Sequence, residues 1–252
     1  MSADFESTRT QLAARIARWA AEGERVIGLP GVSLYTHAET GGPVSCMLEP
    51  AIAIPVQGTK RAILGSEVYT YDRYRYLITS LEVPAVLQVA QAAPDAPYLS
   101  VVLRLDEHVI GQLVMESRLS HPDPGAVLDR GMLLGTTTAP LLAALNRLPG
   151  LMEEPELIPV LAPLVQREIF YRILCSDTGI YLWQMVAIGS QSHRIRKASE
   201  ALKADFRRPL KVEDLAARVQ MSPLRFHHHF RRLTSLSPLQ FQKWLRLTEA
   251  DG

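Results

Sequence analysis

The segment from Lys211 to Ser237 constrains the fold most, because its apolar residues repeat at helical spacing on both sides of a two-residue break. Before the break, the repeat runs i, i+3, i+4 and i+7 through Val212, Leu215, Ala216 and Val219. This spacing places the four side chains on one face of a helix. The break falls at Gln220 and Met221, and a second helical pattern follows it. The sequence therefore predicts two short helices joined by a tight turn.

The second helix has a defined beginning. Ser222 can cap it by accepting from a free N–H of the first turn, and Pro223 suits the first helical position, where an N–H is not needed. One face, which we expect to pack inward, carries Phe226, His229, Phe230 and Leu233. The opposite face, displaced by two residues or about 200° around the axis, carries Leu224, His227, His228 and Arg231.

The outward face has the chemistry that the major groove of double-stranded DNA accepts. Leu224 can contact a thymine methyl group, the two imidazoles can hydrogen-bond to base edges, and Arg231 can contact a phosphate. An exposed basic helix on a short helical support is also the geometry that enters this groove. The predicted DNA-binding residues are Ser222, Pro223, Leu224, Arg225, His227, His228, Arg231 and Arg232.

The same segment allows two other interpretations, a metal site and an ordinary helical hairpin. Three consecutive histidines, His227 to His229, suggest a metal site, but neighbours on a helix point about 100° apart, whereas two ligands on one face need i, i+4 spacing. We therefore predict no metal here. An ordinary helical hairpin with a solvated charged face is also compatible with the periodicity alone, but the sequence resemblance described below disfavours it.

The distribution of charge favours nucleic acid as a partner. From His193 to Gly252 the chain holds 13 Lys and Arg against 6 Asp and Glu, whereas the preceding 192 residues hold 14 against 20. The net charge of +1 therefore hides a basic tail on an acidic body. A basic tail is attracted to the phosphate backbone, and such asymmetry points to nucleic-acid binding.

The tail resembles the DNA-binding domain of AraC/XylS-type transcription regulators. The resemblance rests on a leading helix near Arg194 to Asp205, Pro209-Leu210, Asp214-Leu215-Ala216-Ala217, Met221-Ser222-Pro223, Phe226 with Phe230, Ser237-Pro238, and Phe241 to Leu247. It implies that Leu224, His227 and His228 read bases. Lys211 stands where the family often has Ser or Thr, which weakens a helix cap, and Ser235 where it often has Gly, which strains a turn.

The family normally carries two helix-turn-helix units joined by a long helix. Here the sequence stops at Gly252, in or just after the linker helix that starts near Pro238, so we expect the second unit to be absent.

The first half of the chain predicts a small sandwich or barrel. Short strand-like runs follow one another, separated by turn residues: Ala51 to Gln57, Arg61 to Gly65, Glu67 to Tyr71, Tyr74 to Ser80, Ala85 to Ala90 and Tyr98 to Leu105. Gln57-Gly58-Thr59-Lys60 is interpreted as a hairpin turn. Tyr69 with Tyr71, and Tyr74 with Tyr76, alternate so that each pair can share one face, either lining a pocket or packing on a half-exposed sheet.

This half resembles the cupin-like N-terminal domain of one AraC-type subfamily. The matching residues are Leu48-Glu49-Pro50, Val56 to Lys60, Leu64-Gly65, Tyr76-Leu77, Pro84 and Ala96 to Leu99. Metal-binding cupins use clustered histidines, but outside the tail only His37, His108 and His121 occur, without an HxH pair. We therefore expect no metal, no cofactor and no enzymatic reaction, but a small-molecule effector bound in the barrel.

The predicted fold class is α+β, with a cupin-like barrel followed by helices and an all-α tail. The predicted domains are an N-terminal helix (1–30), the barrel (31–121), a helical dimerisation and linker region (122–190) and the DNA-binding segment (191–252). Amphipathic stretches at Asp106 to Ser117, Thr138 to Leu148 and Pro155 to Cys175 predict helices. The family resemblance assigns such helices to homodimerisation, and Pro122 to Gly125 is the candidate hinge.

The remaining sequence features suggest an ordinary cytoplasmic protein. No apolar run of 18 residues occurs, and the charged amphipathic N-terminus does not resemble a signal peptide. Cys46 and Cys175 lie far apart and show no metal spacing, so we expect buried thiols rather than a disulfide, with a redox role left open.

Together these features predict a ligand-responsive transcription regulator that binds double-stranded DNA as a homodimer. The alternative is a small-molecule-binding or interaction protein whose truncated tail binds DNA weakly.

Overall fold

The computed structural model describes residues 3–20, 28–117, 130–187, 190–209 and 211–250, with the backbone alone for 248–250. The described strands are β1 Val32–His37, β2 Val44–Leu48, β3 Ala51–Gln57, β4 Thr59–Leu64, β5 Glu67–Asp72, β6 Arg75–Thr79, β7 Val83–Gln91, β8 Tyr98–Arg104 and β9 Met132–Thr136. They form an antiparallel sheet in the order β1-β8-β3-β6-β5-β4-β7-β2, with β9 paired to β6. The sheet curls into a half-barrel.

The described helices precede and follow the sheet in the chain. They are α1 Ala3–Trp19, α2 Glu107–Glu116, α3 Ala139–Gly150, α4 Ile158–Leu174, α5 Gly179–Val186, α6 Gln191–Ala204, α7 Val212–Arg218, α8 Pro223–Thr234 and α9 Pro238–Ala250. Two short 3-10 turns, Leu151–Glu153 and Pro155–Leu157, lie between α3 and α4. None of these described helices is long and apolar enough to cross a membrane.

The alternation of side chains gives the half-barrel two different faces. On β8, Leu99, Val101 and Leu103 are buried in one hydrophobic cluster with residues of α1 to α5. The intervening side chains of Tyr98, Ser100 and Val102 line a cavity on the concave side. This period of two is expected of a strand whose two faces meet different surroundings. The first five helices therefore cover the convex face and leave the concave face to be closed by other residues.

The C-terminal helices close the remaining wall. A second hydrophobic cluster, here called the shared cluster, joins strand residues Ala62, Leu64, Tyr69, Tyr71, Leu77, Leu81, Val83, Ala85 and Met132 to residues of α6 to α9. The helical members include Ile195, Leu202, Leu215, Phe226, Phe230 and Phe241. Because one apolar cluster contains both sets, the half-barrel and the tail pack as one body.

The predicted α+β class, with a barrel-like sheet followed by helices, is confirmed, and each predicted strand run overlaps an observed strand. Helices also form at the three predicted amphipathic stretches, and α2 and α3 are capped by the side chains of Asp106 and Thr138. The segments not predicted are β1, β2, β9 and α5. Strand β9 lies inside the 122–190 stretch predicted to be helical, and it pairs with β6 along five residues.

The predicted hairpin at Gln57 to Lys60 is wrong. β3 pairs with β6 and β8, whereas β4 pairs with β5 and β7, so the two strands that flank Gly58 are not neighbours. Gly58 instead marks a corner at which the chain passes from one side of the curled sheet to the other. Its φ of +75° and the nearby Gln91 carbonyl explain why a glycine occupies this corner. The candidate hinge at Pro122 to Gly125 and the histidine at position 121 lie outside the described residues.

Replacing Gly58 with alanine is expected to lower the free energy of unfolding by about 1–3 kcal/mol, because the left-handed backbone disfavours a side chain. The added Cβ would also lie 2.5 Å from the Gln91 carbonyl oxygen. Urea denaturation measures the change. The matched control is Gly111→Ala inside α2, where a Cβ meets nothing within 4 Å; it should gain about 0.5–1 kcal/mol. Equal stabilities of the two variants would contradict the corner assignment.

Candidate DNA-binding and ligand-binding sites

Helices α7 and α8 are held at a fixed angle by a short, strained turn. Gln220 has a φ of +55°, which is uncommon for a residue with a side chain. Its carbonyl oxygen accepts a hydrogen bond from Arg194 Nη1 at 3.0 Å, and the Met221 N–H donates to the Ala216 carbonyl at 2.9 Å. The turn is therefore anchored both to the preceding helix and to α6.

Helix α8 begins where the sequence predicts. Ser222 is its N-cap, and the Ser222 Oγ accepts from the Arg225 N–H at 3.4 Å, while Pro223 occupies the first helical position. The two departures from the family pattern have the predicted effects. Lys211 precedes α7 without a capping hydrogen bond from its side chain, and Ser235 ends α8 in the left-handed conformation with a φ of +60°.

Aromatic packing fixes the rotation of α8 about its axis. Phe226 and Phe230 are fully buried, and the Phe230 ring centroid lies 5.5 Å from those of both Phe226 and Phe241. Leu233 is buried on the same face, and His229 is half-buried. Because these side chains occupy the inner face, the opposite face must point away from the core.

The outer face of α8, formed by Leu224, His227, His228 and Arg231, is exposed as predicted. Leu224 is 83% exposed. The other predicted DNA-binding residues, Ser222, Pro223, Arg225 and Arg232, are also exposed. The structure thus gathers all eight on the accessible side and end of one helix. Their contact with DNA remains a prediction.

Polar and backbone contacts join the tail to the half-barrel around the shared cluster. Lys203 Nζ of α6 lies 2.7 Å from Glu82 Oε1, beside β7. Arg196 of α6 pairs with Glu107 at the start of α2. At the end of α8, Ser235 Oγ donates to the Leu64 carbonyl at 3.4 Å. These contacts position α8 on the half-barrel while leaving its outer face uncovered.

A cavity of about 330 Å³ lies inside the half-barrel, a size within the usual range for small-molecule sites. Its wall combines apolar side chains such as Leu77 and Leu87 with the polar groups of Ser33, Ser100 and Lys60. Glu49 and Arg104, both exposed, lie along its edge. The arrangement can hold a small, mostly apolar ligand with a few polar groups.

Burial changes the acid–base behaviour of the cavity lining. It raises the pKa of the Tyr71 and Tyr98 phenols above the ordinary value, so both stay protonated and can donate hydrogen bonds. Burial also lowers the pKa of the Lys60 ammonium and raises that of the Cys46 thiol, while the charges of these two groups oppose both shifts.

The sheet decides between the two interpretations of the paired tyrosines, which were lining a pocket and packing on a half-exposed sheet. Tyr69 and Tyr71 do share one face, but Tyr71 alone of the four lines the cavity. Tyr76 is buried against the helices, where its hydroxyl hydrogen-bonds to Thr178, and Tyr74 packs on the same side. Cys46 is half-buried, but Cys175 is exposed, so the expectation of two buried thiols is wrong for Cys175.

Lys60 is one of the cavity residues that the sequence patterns do not predict. The mistaken hairpin assigned it to a turn, although it occupies the second position of β4. Its spacing from Ala62 and Leu64, both buried on the same face of the strand, was the available signal. Among the described residues, no group of three or more His, Cys, Asp or Glu side chains is placed to hold a metal ion.

Comparison with known proteins identifies the family. Residues 28–181 match the profile of the AraC-type transcriptional regulator N-terminus. This match spans more than half of the chain, so the protein belongs to the AraC-type transcriptional regulators. No curated protein matches the chain.

Solved structures of AraC-like regulators are similar at low identity. Unsaturated fatty acid-bound ToxT from Vibrio cholerae is 11% identical, with 84% of this chain and 94% of that chain covered and a TM-score of 0.40. The AraC-like transcriptional activator CuxR is 11% identical, with 96% and 90% covered and a TM-score of 0.36.

The two faces of α8 should differ sharply in their contribution to stability. Phe226→Ala is expected to lower the free energy of unfolding by about 3–5 kcal/mol, because it removes a buried ring. Leu224→Ala, on the outer face of the same helix, should change it by less than about 0.5 kcal/mol. Urea denaturation of both variants tests the assignment. A large loss for Leu224→Ala would show that this side chain is packed in solution.

Proposed function

We propose that this chain is a sequence-specific DNA-binding regulator that responds to a small molecule bound in the half-barrel. The observation that carries the DNA-binding part is the outer face of α8. An exposed leucine, two exposed histidines and an arginine project from a helix whose inner face is locked by three phenylalanines. Such a rigid, exposed helix face suits insertion into the major groove, where the side chains reach base edges.

The charges near α8 support the same role. Arg225, Arg231 and Arg232 lie at the two ends of the helix, on the exposed side. Arginines at the ends of a recognition helix can contact the phosphates on either side of the groove and fix its register. Position and charge therefore both favour DNA as the partner.

The response to a ligand is supported by the walls that the cavity shares with the tail. Tyr71 and Leu77 line the cavity, and both belong to the shared cluster that also contains Phe226 and Phe230. A ligand that changes the packing of Tyr71 or Leu77 therefore acts on the support of α8 through contiguous side chains. Coupling through a packed cluster needs two arrangements of that cluster with different ligand affinities.

Homodimerisation through α4 is the third part of the proposal. Val160, Leu164 and Tyr171 are 66%, 59% and 41% exposed, and their spacing places them in one stripe along the helix. A second copy of the chain fits this stripe, because two recognition helices placed on adjacent half-sites bind DNA with higher affinity and specificity than one. Ion pairs made by Arg167 and Arg172 flank the stripe.

The alternative, a small-molecule-binding or interaction protein that does not read DNA, rests on the cavity alone. It predicts ligand binding without base preference. An enzymatic role has no support from the comparisons, since the family and the similar structures are transcription regulators.

Selection from a random DNA library by the purified chain should enrich defined sequences if α8 reads bases. On the selected DNA, Leu224→Ala and His228→Ala should each lower affinity by about 1–3 kcal/mol and relax the preference at particular positions. Titrations at several salt concentrations measure the affinity and separate base contacts from phosphate contacts.

The matched control for these titrations is Arg61→Ala, which removes an exposed positive charge from β4 in the half-barrel. It should leave base preference unchanged. Binding that depends on salt alone, with no enrichment by the wild-type chain, would favour the alternative function.

The dimer proposal predicts that Leu164→Glu weakens self-association. A carboxylate in the α4 stripe would have to be buried in the interface, at a cost that shifts the dimer toward monomer at least about tenfold. Sedimentation equilibrium gives the dissociation constant. Leu239→Glu, at a position of nearly equal exposure on α9, is the control and should have little effect. Equal behaviour of both variants would place the dimer interface elsewhere.

A further inference from the structure

The side chain of Lys60 lines the cavity of the half-barrel and is half-buried. It lies on β4, and its ammonium nitrogen is 5.4 Å from the ring centroid of Tyr98 and 5.8 Å from that of Tyr35. Both rings, together with Cys46 and Tyr71, line the same cavity. The cation is thus surrounded by aromatic faces and a thiol, which attract it only weakly compared with a carboxylate.

Within the described part of the chain, the Lys60 ammonium makes neither a salt bridge nor a hydrogen bond with another side chain. Lysines are almost never buried without a partner, because the charge loses its hydration. Burial accordingly lowers the pKa of Lys60, against the opposing electrostatic influence of Cys46. Lys203 shows the usual arrangement, since it is more exposed and still pairs with Glu82 at 2.7 Å.

The rest of the cavity restricts what else a ligand can carry. Tyr98, Ser100, Val102 and Arg104 follow one another on the same face of β8, so Arg104 lies about 20 Å along the strand from the Lys60 end. Between these ends, the described wall offers hydroxyl groups and apolar side chains, including Leu77 and Leu87. A single cation in such a wall suits a ligand that has one acid group and is otherwise mostly apolar.

We propose that the half-barrel selects a small carboxylic acid whose carboxylate pairs with Lys60 between Tyr35 and Tyr98. The ligand's apolar body lies along the wall formed by Leu77, Leu87 and Val102. A single ammonium balances the charge of one carboxylate, whereas a doubly charged phosphate would bring a second negative charge that no further cation at this end of the described cavity wall balances. The assignment rests on the proposed ligand-binding role of the cavity and adds the chemical class of the ligand.

Pairs of isosteric probes test the choice of head group. Octanoate with octanamide, and cinnamate with cinnamamide, have nearly the same size and shape within each pair, but the acid has an anionic head group and the amide a neutral one. Calorimetry on the full chain should show that at least one acid binds about tenfold or more tighter than its amide, as expected for a charge-assisted hydrogen bond. Lys60→Gln should abolish this preference, and Lys203→Gln, a control outside the cavity, should keep it.

Equal affinities of acid and amide in both pairs, no binding of any of the four probes, or an unchanged preference in Lys60→Gln would each overturn the assignment. These binding measurements use no DNA, and the base-preference experiment on the α8 variants uses no ligand. A negative result for carboxylate binding therefore does not contradict the DNA-binding proposal, and a negative result for base preference does not contradict the carboxylate proposal.

A second measurement needs no ligand. If Lys60 serves binding and not folding, Lys60→Met should raise the melting temperature of the ligand-free chain by about 2–4 °C. The substitution removes the cost of placing an ammonium group that has no ion-pair partner in the described cavity. A lower melting temperature would overturn the proposal, because it would identify Lys60 as a structural cation held by the two tyrosines.

Discussion

The structure depends on one constraint: a curled sheet has two faces, and both must be covered. Helices α1 to α5 bury the convex face of the half-barrel, with Ile52, Ile54 and Val101 completely inaccessible to solvent. Within the described residues, the helices that bury the wall formed by β4, β5 and β7 belong to the tail, which packs against Ala62, Leu64 and Ala85. The tail is therefore a structural part of the half-barrel as well as the carrier of α8, and this double role determines how the two parts can influence each other.

That double role gives the proposed response a physical route. The cavity and the core of the tail are separated by single side chains such as Tyr71 and Leu77, not by an independent layer. Glu49 and Arg104 also border a second cleft, which reaches Arg196 on α6. Packed interiors tolerate little change in volume, so occupation of the cavity has to be accommodated by neighbouring side chains. The nearest neighbours on one side belong to the tail.

The tail was the part of the fold that its sequence defined best. Local signals were sufficient there: Ser222 and Pro223 set the start of α8, and the i, i+3, i+4 spacing separated Phe226 and Phe230 from Leu224 and His228. The helix boundaries and the exposed face follow from a few neighbouring residues, which is why they could be derived without knowledge of the rest of the chain.

The half-barrel was harder, because sheet order depends on residues far apart in the chain. The strand runs can be recognised in the sequence, but the pairing partners of β3 and β4 cannot. The sequence pattern therefore predicts a hairpin turn at Gly58, where the structure has a corner between two strands that do not pair. Because the predicted turn included Lys60, the most distinctive side chain of the cavity was not recognised as part of a strand. The edge strand β2, paired on one side to β7, has little apolar pattern to reveal it. The spacing of neighbouring residues does not determine which strands pair when those strands lie far apart in the chain.

The shared cluster also orders events during synthesis. Its members extend along the chain from Ala62 to Leu245. A ribosome that has completed β7 has therefore produced strands whose apolar wall lacks its partners from α6 to α9 until about a hundred further residues emerge. Nascent chains with such exposed surface aggregate readily. We expect the half-barrel to need protection by chaperones until α6 to α9 are made, so the helices that carry the proposed DNA-reading face also complete the apolar core of the half-barrel.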